Sequence, residues 1–476
     1  MLGPRLVVAG TRSGAGKTSV ATGLMAALRA TGLEVASAKV GPDFIDPGYH
    51  EVATGRPGRN LDAWMCGPAL IAPLASRASA GSDVLIVEGV MGLFDGAADG
   101  TPSSTADIAV LLGAPVVLVV DCSSQAASVA AVVHGFATFS PRVWLAGVIL
   151  NQLASDSHEA MVRAALATSP TPVPVLGAIH RDRRLAWRDR HLGLVPVAER
   201  PDEVSASVSL LAGLIAERCD LDTIMRFARA APVAHPVSVP IPERVGSARI
   251  AVAGGKAFTF SYPDNLEALA AAGAEIVRFD PLHDDALPEG TDGLVVGGGF
   301  PEVMAEALAA NTSLLADVRA RVDAGLVVWA ECGGLLWLAR SLDGHPMVGA
   351  VAGGAAMSER LTLGYRTAVQ LVETPLGPAG TQLRGHEFHY THLAPAGTAL
   401  QLTGRTGTTT GGFASPTLLA SYLHIHLAAR PDLAESFVRS VIRSREAAAA
   451  RGRGAAPRRD RAVGDAPARR ARSGGT

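Results

Sequence analysis

The chain has 476 residues, of which 48% are hydrophobic and 18% charged, so it can form two or three domain cores and is not globally disordered. Its net charge of -2 gives no basis for nucleic-acid binding, and its longest apolar runs are too short to cross a bilayer. The four cysteines lack the spacing of a zinc site or a disulfide framework. The first apolar segment leads directly into a glycine loop rather than a signal peptide. We therefore expect a cytoplasmic protein that binds neither nucleic acid nor membranes.

The first half of the chain alternates apolar strand patterns with helical patterns. The strand patterns lack polar alternation, as expected of strands buried on both faces, and they cover residues 5–10, 35–40, 83–89, 115–121 and 145–151. A helical pattern over 17–32 ends on a glycine. This series predicts an open, mainly parallel α/β sheet, with a site in the loops that follow the carboxyl ends of its strands.

A proline-rich stretch separates this series from a second one. Strand patterns resume at 249–254, 275–280, 293–299 and 325–331. From residue 444 the chain is rich in arginine and alanine and has no apolar periodicity, which indicates a solvated extension rather than an anion-binding arm. We predict two α/β domains, 1–242 and 243–443, followed by a disordered tail, 444–476.

A glycine-rich loop follows the first predicted strand and opens the first predicted helix. The pattern G-x-x-x-x-G-K-[ST] would place its first glycine at Thr11, but the glycine stands one residue earlier, at Gly10. In this context the backbone N–H groups form a phosphate site, Lys17 reaches the β- and γ-phosphates, and Thr18 ligates Mg²⁺. The predicted ATP contacts are Gly10, Thr11, Ser13, Gly14, Ala15, Gly16, Lys17 and Thr18.

Charged residues end the next two strand patterns. Lys39 ends the second, and it is one of only three lysines in the chain, which indicates a nucleotide contact. Asp43 and Asp46 follow, in a loop between two prolines. We predict that both contact substrate and that Asp46 is also a candidate metal ligand; the alternative is that they are solvated turn residues. Glu88 ends the third pattern, where Walker-type ATPases place a Mg²⁺ ligand.

Two more polar residues complete the predicted first site. Asp95, close to Glu88 in sequence, is a candidate to contact substrate or metal, with an ordinary turn residue as the alternative. Asn151 ends the fifth strand pattern, where its amide could read an adenine edge.

The second half carries a cysteine on a predicted strand-to-helix turn. Such a turn exposes Cys332 as a nucleophile, and a helix N-terminus would lower its thiol pKa; a buried structural cysteine is the alternative. We predict oxyanion contacts from Gly298, Gly299 and Gly333. The base must be a histidine, and "ASYLHIHLAAR" (420–430) offers His424 and His426; the histidines of "RGHEFHYTH" (384–392) are an alternative, although a structural or substrate-facing role suits them better.

Ordered motifs in both halves resemble one enzyme family, the cobyrinic or hydrogenobyrinic acid a,c-diamide synthases of corrinoid biosynthesis. The motifs are "GTRSGAGKT", "KVGPDFIDPGYH", "RNLDAWM", "VEGVMGLFDG", "STADIA", "HLGLVP" and "RGHEFHYTH". The first half is similar in fold to dethiobiotin synthetase, and the second half resembles class I glutamine amidotransferases. The resemblance implies that Mg²⁺ and ATP activate a carboxylate of a corrinoid acid as an acyl phosphate, which ammonia from glutamine then attacks.

The resemblance also implies a difference at the glutaminase base. In class I amidotransferases a Glu follows the catalytic His by two residues; His424 takes the position of the base, and His426 stands where the Glu would be. The orienting third residue is therefore missing or replaced, as implied for the cobyrinic and cobyric acid synthase branch, which works with a Cys–His pair.

Several alternatives stay open at this point. They are cobyric acid synthase, an amidase of another tetrapyrrole such as a nickel sirohydrochlorin, and a MinD/ParA-type ATPase switch. The switch is disfavoured by Arg12, which stands where such proteins carry a second lysine. Phe44 and the arginine- and alanine-rich composition favour the cobalt-free substrate, hydrogenobyrinic acid. The sequence leaves a homodimer open.

Overall fold

The computed structural model of the chain describes residues 1–97, 100–182, 189–190, 193–454 and 474–475. Its strands in the first half are β1 (Arg5–Gly10), β2 (Val35–Val40), β3 (Arg59–Leu61), β4 (Val84–Glu88), β5 (Val116–Asp121), β6 (Leu145–Leu153), β7 (Val175–His180), β8 (Asp189–Arg190) and β9 (Gly193–Leu194). The α-helices are α1 (Lys17–Ala30), α2 (Ile45–Thr54), α3 (Ala63–Cys66), α4 (Ile71–Ala78), α5 (Thr105–Leu112), α6 (Ser128–Thr138), α7 (Asp156–Ala167), α8 (Pro201–Arg218) and α9 (Leu221–Ala230). Short 3₁₀ helices cover Pro68–Leu70 and Val197–Glu199.

The first half forms a parallel sheet covered by helices on both faces. Its strand order is β3-β2-β4-β1-β5-β6-β7. The strands predicted from continuous apolar runs are confirmed, and β1, β2 and β5 are buried along their whole length. Because β1 lies between β4 and β5, the loop after β1 faces the carboxyl ends of both neighbours.

The second half contains the remaining elements. Its strands are β10 (Ala248–Ala253), β11 (Ala274–Phe279), β12 (Gly293–Val296), β13 (Val327–Glu331), β14 (Ser341–Leu342), β15 (His345–Pro346), β16 (Gly354–Gln370), β17 (Gln382–Ala394), β18 (Leu400–Gly404), β19 (Gly407–Gly411), β20 (Phe413–Ser415), β21 (Leu418–Ser421) and β22 (His424–Ile425). Its α-helices are α10 (Pro263–Ala272), α11 (Ala305–Ala310), α12 (Thr312–Asp323), α13 (Gly333–Leu338) and α14 (Pro431–Gly454). Short 3₁₀ helices cover Pro301–Met304 and Leu427–Ala429.

Two sheets share the second half. One has the order β11-β10-β12-β13-β21-β20 and is parallel except for β20, as predicted for an α/β domain. The other has the order β15-β14-β16-β17-β22, with β18 beside β16, and most of its pairs are antiparallel. This second sheet was not predicted, because β16 and β17 alternate buried and exposed positions instead of forming apolar runs.

The end of the chain differs from the prediction in where the helical structure stops and the predicted tail begins. The predicted disordered tail begins at 444, but α14 continues to Gly454, since "SREAAAARG" is rich in strong helix formers. Residues 455–473 and 476 of the predicted tail lie outside the described residues. No helix in the described part of the chain is long and apolar enough to span a membrane.

The two halves are joined by polar and aromatic contacts. Tyr365 donates a hydrogen bond to Asp62 at 2.7 Å and stacks on Trp64. Arg59 and Arg77 of the first half pair with Asp264 of α10, a buried carboxylate whose pKa they hold down together with His426, against the effect of its burial. These contacts pack β3, α3 and α4 of the first half against α10 and β16 of the second.

Candidate active site in two halves

The loop predicted to bind phosphate lies between β1 and α1, as its sequence predicts, and the early glycine has a steric reason. A Cβ at Gly10 would lie 2.7 Å from Cγ of Lys17, so the lysine stem crosses the space that the glycine leaves free. Gly14 and Gly16 have φ of 75° and 93°, the left-handed region that glycine adopts at little cost. Asn151 donates its amide to the carbonyl of Ala15 at 3.0 Å. It therefore holds the loop in place.

A cavity of about 330 Å³ lies beside this loop. Gly16 and Asn151 line this cavity together with the apolar side chains of Val20, Ile179 and Leu214. Its position next to the phosphate loop suits the base and sugar of a nucleotide. That Asn151 also reads an adenine edge stays a prediction, since its NH₂ group already bonds to the loop.

Glu88 is the centre of the first half-site and is fully buried. Its Oε1 accepts hydrogen bonds from the Thr18 hydroxyl at 2.6 Å and from the Lys39 ammonium at 2.9 Å. Its Oε2 lies 2.6 Å from Nε2 of His50, a contact that the sequence analysis missed. Burial alone would raise the Glu88 pKa, but Lys39 and His50 hold it well below the usual range, so the carboxylate is ionised.

Lys39 joins two carboxylates. It lies 2.7 Å from Asp46 and 2.9 Å from Glu88, which brings together predicted site residues from two separate motifs. Although burial opposes its charge, these carboxylates raise the Lys39 pKa, and it stays protonated. Burial and the nearby Glu88 raise the pKa of Asp46 despite its contact with Lys39. The site therefore holds one carboxylate firmly ionised and a second that takes a proton more easily.

Lys17 lies in a less compensated environment. Burial and the neighbouring Lys39 lower its pKa to about 8, and its ammonium lies 3.3 Å from the Arg12 carbonyl. The anionic phosphates predicted for this loop would favour its charged form.

The oxygen donors at this half-site fit Mg²⁺. The Thr18 hydroxyl bonds to Glu88, and the carboxylates of Glu88 and Asp46 both contact Lys39; Mg²⁺ prefers such oxygen ligands together with phosphate oxygens. The described residues contain no group of three or more His, Cys, Asp or Glu side chains arranged to hold a metal alone. An ion here would therefore depend on the nucleotide for part of its coordination.

The two other predicted aspartates have local structural contacts. Asp43 accepts a hydrogen bond from the backbone of Asp46 at 2.8 Å and so supports the first turn of α2. Asp95 is exposed and accepts from the backbone of Gly92 at 2.8 Å. Its charge lies close enough to favour the protonated form of Lys17. Their roles as substrate contacts stay predictions.

Cys332 lies on the predicted turn between β13 and α13. Its φ of 48° and ψ of -101° are strained for a residue with a side chain, as at nucleophile elbows. The expected low thiol pKa is wrong for this conformation: burial, followed by the charge of Glu302, raises it well above its usual value, and the N–H of Gly333 offsets this only in part. A base is thus needed to take the thiol proton.

The three glycines predicted as oxyanion contacts lie together, but one has a different role. A Cβ at Gly333 would lie 3.0 Å from the Gly299 nitrogen and 3.3 Å from the Gly298 carbon. The N–H of Gly298 donates to the Phe260 carbonyl at 3.0 Å, so it is not available to an oxyanion. A Cβ at Gly298 would instead lie 2.5 Å from Cε1 of His424. Gly298 therefore makes room for the histidine, and Gly299 and Gly333 remain the predicted donors.

The surroundings of the two histidines differ. His424 contacts the glycine turn beside Cys332, and the Cys332 N–H donates to the carbonyl of Ser421, which ends the strand just before His424. His426 instead points toward Asp264, with 4.0 Å between Nε2 and the carboxylate. Burial lowers the His426 pKa. This geometry favours His424 as the base.

Phe44 connects the two half-sites. It lies between Asp43 and Asp46 in sequence, yet its ring stacks on Tyr262 and Phe260 of the second half and lies 4.9 Å from the ring of His424. Tyr262 also donates to the carbonyl of Pro42 at 2.9 Å. The loop that leads from Lys39 to Asp46 therefore contacts the candidate glutaminase base directly.

A mostly apolar cavity of about 170 Å³ lies at this contact. Its walls include Phe44 and Asp43 from the first half, and Phe388, His386 and His424 from the second. Burial and the neighbouring His424 lower the His386 pKa well below its usual value, so the His386 ring is neutral where it lines the cavity.

Comparisons with known proteins agree with this two-part arrangement. Residues 6–194 match the CobQ/CobB/MinD/ParA nucleotide binding domain, and residues 249–432 match the CobB/CobQ-like glutamine amidotransferase domain. A hydrogenobyrinate a,c-diamide synthase of Streptomyces coelicolor is 50% identical over 91% of this chain and 97% of its own length. One of Thermobifida fusca is 47% identical over 92% and 97%, and a cobyrinate a,c-diamide synthase of Syntrophotalea carbinolica is 44% identical over 91% and 98%. The chain belongs to the family of hydrogenobyrinate and cobyrinate a,c-diamide synthases.

Proposed function

We propose that this chain converts the a- and c-side-chain carboxylates of hydrogenobyrinic acid into amides, with ATP, Mg²⁺ and glutamine, as a step of cobalamin biosynthesis. The observation that carries the proposal is the contact of Phe44, from the loop of the first half-site, with His424 of the second. Two chemically different sites meet there across a small cavity. That arrangement suits an enzyme in which one site makes ammonia and the other consumes it.

In the second half-site, Cys332 and His424 hydrolyse glutamine. His424 takes the thiol proton, the sulfur attacks the side-chain amide carbon, and the histidine returns the proton to the leaving nitrogen, which departs as ammonia. Water then cleaves the thioester to glutamate, with His424 as the base. The N–H groups of Gly299 and Gly333 stabilise the oxyanion in both steps.

In the first half-site, a substrate carboxylate attacks the γ-phosphorus of ATP, and ADP leaves. Backbone groups of residues 10–18 and the side chains of Lys17 and Lys39 offset the charge on the transferring group. Thr18, Glu88 and Asp46 would hold the Mg²⁺ ion, which neutralises phosphate charge when bound. Ammonia then attacks the acyl phosphate, and phosphate leaves as the amide forms.

The apolar cavity at Phe44 suits the transfer of neutral ammonia. Ammonia released beside His424 would enter a space lined by Phe44, Phe388 and neutral His386, where it keeps its nucleophilic form. Asp43 lies on the wall of the same cavity and accepts a hydrogen bond from the backbone N–H of Asp46, so this wall adjoins the first half-site.

The cobalt-free acid is the substrate that we propose. Five relatives named for hydrogenobyrinate are 46–50% identical to this chain, whereas three named for cobyrinate are 39–44% identical. The test is to offer the purified protein both acids with Mg²⁺, ATP and glutamine, and to compare kcat/KM for amide formation. A higher value for cobyrinic acid would contradict the choice of substrate, and failure to amidate either acid would contradict the proposed function.

A further inference from the structure

The glutaminase half-site contains a carboxylate in the place of the missing orienting residue. Glu331 ends β13 immediately before Cys332, and its Oε2 lies 3.5 Å from Nδ1 of His424. Both side chains are buried, with relative exposures of 8% and 2%. In class I amidotransferases the orienting Glu follows the catalytic histidine in sequence, whereas Glu331 comes immediately before Cys332.

The other atoms of His424 show why this contact matters. Within the described residues, its buried Nδ1 has no hydrogen-bond partner, and Glu331 supplies the carboxylate that lies near it. Its Cε1 and Nε2 lie toward Gly298, on the side of the glycine turn. His386, stacked on the ring at 4.9 Å, is neutral because of its lowered pKa. His386 therefore adds no charge beside His424, and a negative charge near Nδ1 comes from the Glu331 carboxylate.

Glu331 is itself held in a fixed place. Its Oε1 accepts the backbone N–H of Ile425 at 3.0 Å, so one carboxylate oxygen is fixed on the residue next to His424 while the other faces the imidazole. Glu387, another carboxylate near His424, is instead paired with Arg366 at 2.7 Å. The 3.5 Å separation is longer than a hydrogen bond, but such catalytic contacts commonly tighten only when substrate binds.

We propose that Glu331 is a positioning residue of the glutaminase, which orients His424 through Nδ1 and stabilises the imidazolium formed when Cys332 loses its proton. This inference rests on the proposed role of His424 as the base. It makes the half-site a triad in which the carboxylate and the nucleophile are adjacent in sequence and the histidine comes from β22.

Glu331→Gln distinguishes a role of Glu331 in positioning His424 from a role in packing alone. Glutamine keeps the side-chain length and an oxygen that can accept from Ile425, but it removes the charge and offers an NH₂ group to Nδ1. We expect kcat for glutamine hydrolysis to fall by about 100-fold or more with little change in KM, as when the carboxylate of a triad is replaced by its amide. Inactivation by an electrophilic glutamine analogue should slow in parallel, and Glu331→Asp should recover part of both rates.

The controls distinguish the possible failures. Ammonia-dependent amidation should stay at the wild-type rate in both Glu331 variants, which shows that they fold, and Glu306→Gln, at an exposed carboxylate of the same half, should change nothing. A Glu331→Gln kcat within about threefold of wild type would overturn the inference, because it would leave only a structural role. If His424→Asn also retained glutamine hydrolysis, the proposed base itself would be wrong.

Discussion

Phe44→Ala is the change that most directly tests the junction between the half-sites. The ring lies 4.3 Å from Tyr262, 4.9 Å from His424, 5.2 Å from Phe260 and 5.7 Å from His386, measured between ring centroids. Aromatic pairs contribute about 0.5–1.5 kcal/mol each, and these pairs share one partly buried ring. We therefore expect a loss of roughly 1–3 kcal/mol in the packing of the two halves.

The same change enlarges the cavity at the contact. To the present volume of about 170 Å³, removal of the ring adds on the order of 100 Å³, room for about three water molecules at roughly 30 Å³ each. Water in this space would connect the cavity with bulk solvent, where ammonia is protonated and diluted before it reaches the acyl phosphate. Glutamine hydrolysis should continue, while less of the ammonia should enter the product.

The assay is the ratio of glutamate formed to amide formed, with glutamine as the nitrogen donor. For wild type this ratio should be close to one, and in Phe44→Ala it should rise at least about twofold, which means that about half of the ammonia or more is lost before it reacts. Amidation with added ammonium salt should be less affected. The matched control is Phe227→Ala, which removes a half-buried ring from α9, where it contacts Trp144. An unchanged ratio in a folded Phe44→Ala protein would refute a path for ammonia along this cavity.

Three further results are expected. Cys332→Ser should abolish glutamine-dependent amidation and leave the ammonia-dependent rate intact, as measured by chromatography of the products; retained use of glutamine would show that the nucleophile lies elsewhere. The Lys17 pKa is lowered to about 8, so the lysine loses its charge as pH rises through that value, and the affinity of the free enzyme for nucleotide should fall between about pH 7 and 9. Lys17→Arg should bind nucleotide with little pH dependence, because arginine stays charged in this range. A flat wild-type profile in a fluorescent-nucleotide titration would oppose this. His50→Asn removes the contact with Glu88 and should slow ammonia-dependent amidation by about 10- to 100-fold while glutamine hydrolysis persists; equal loss of both activities would indicate unfolding rather than a local effect.

The first half-site could be predicted from sequence because its chemistry lies in short motifs at strand ends. Lys39, Asp46 and Glu88 each follow or end a recognisable apolar strand, and a parallel sheet brings such positions together. His50 was missed because its role depends on how α2 packs on β4, which no local pattern specifies. The available signal was the sequence "GYH", which ends the motif "KVGPDFIDPGYH" and contains His50.

The second half-site could be predicted only in part. The turn at Cys332 is local and was recognised, but its high thiol pKa follows first from burial in the folded domain and then from the charge of Glu302, which is distant in sequence. The bonded N–H of Gly298 depends on a bridge to Phe260. The role inferred for Glu331 depends on β22, which the chain reaches 94 residues later. Each of these properties arises from tertiary packing rather than from spacing.

The most direct test of the central claim is a product count. The purified chain is incubated with hydrogenobyrinic acid, Mg²⁺, ATP and glutamine, and the corrinoid products, ADP and glutamate are measured over time. The proposed function predicts that a monoamide appears and is then converted to the a,c-diamide, with one ADP and one glutamate for each amide. ATP hydrolysis without amide formation, or amides at side chains other than a and c, would contradict it.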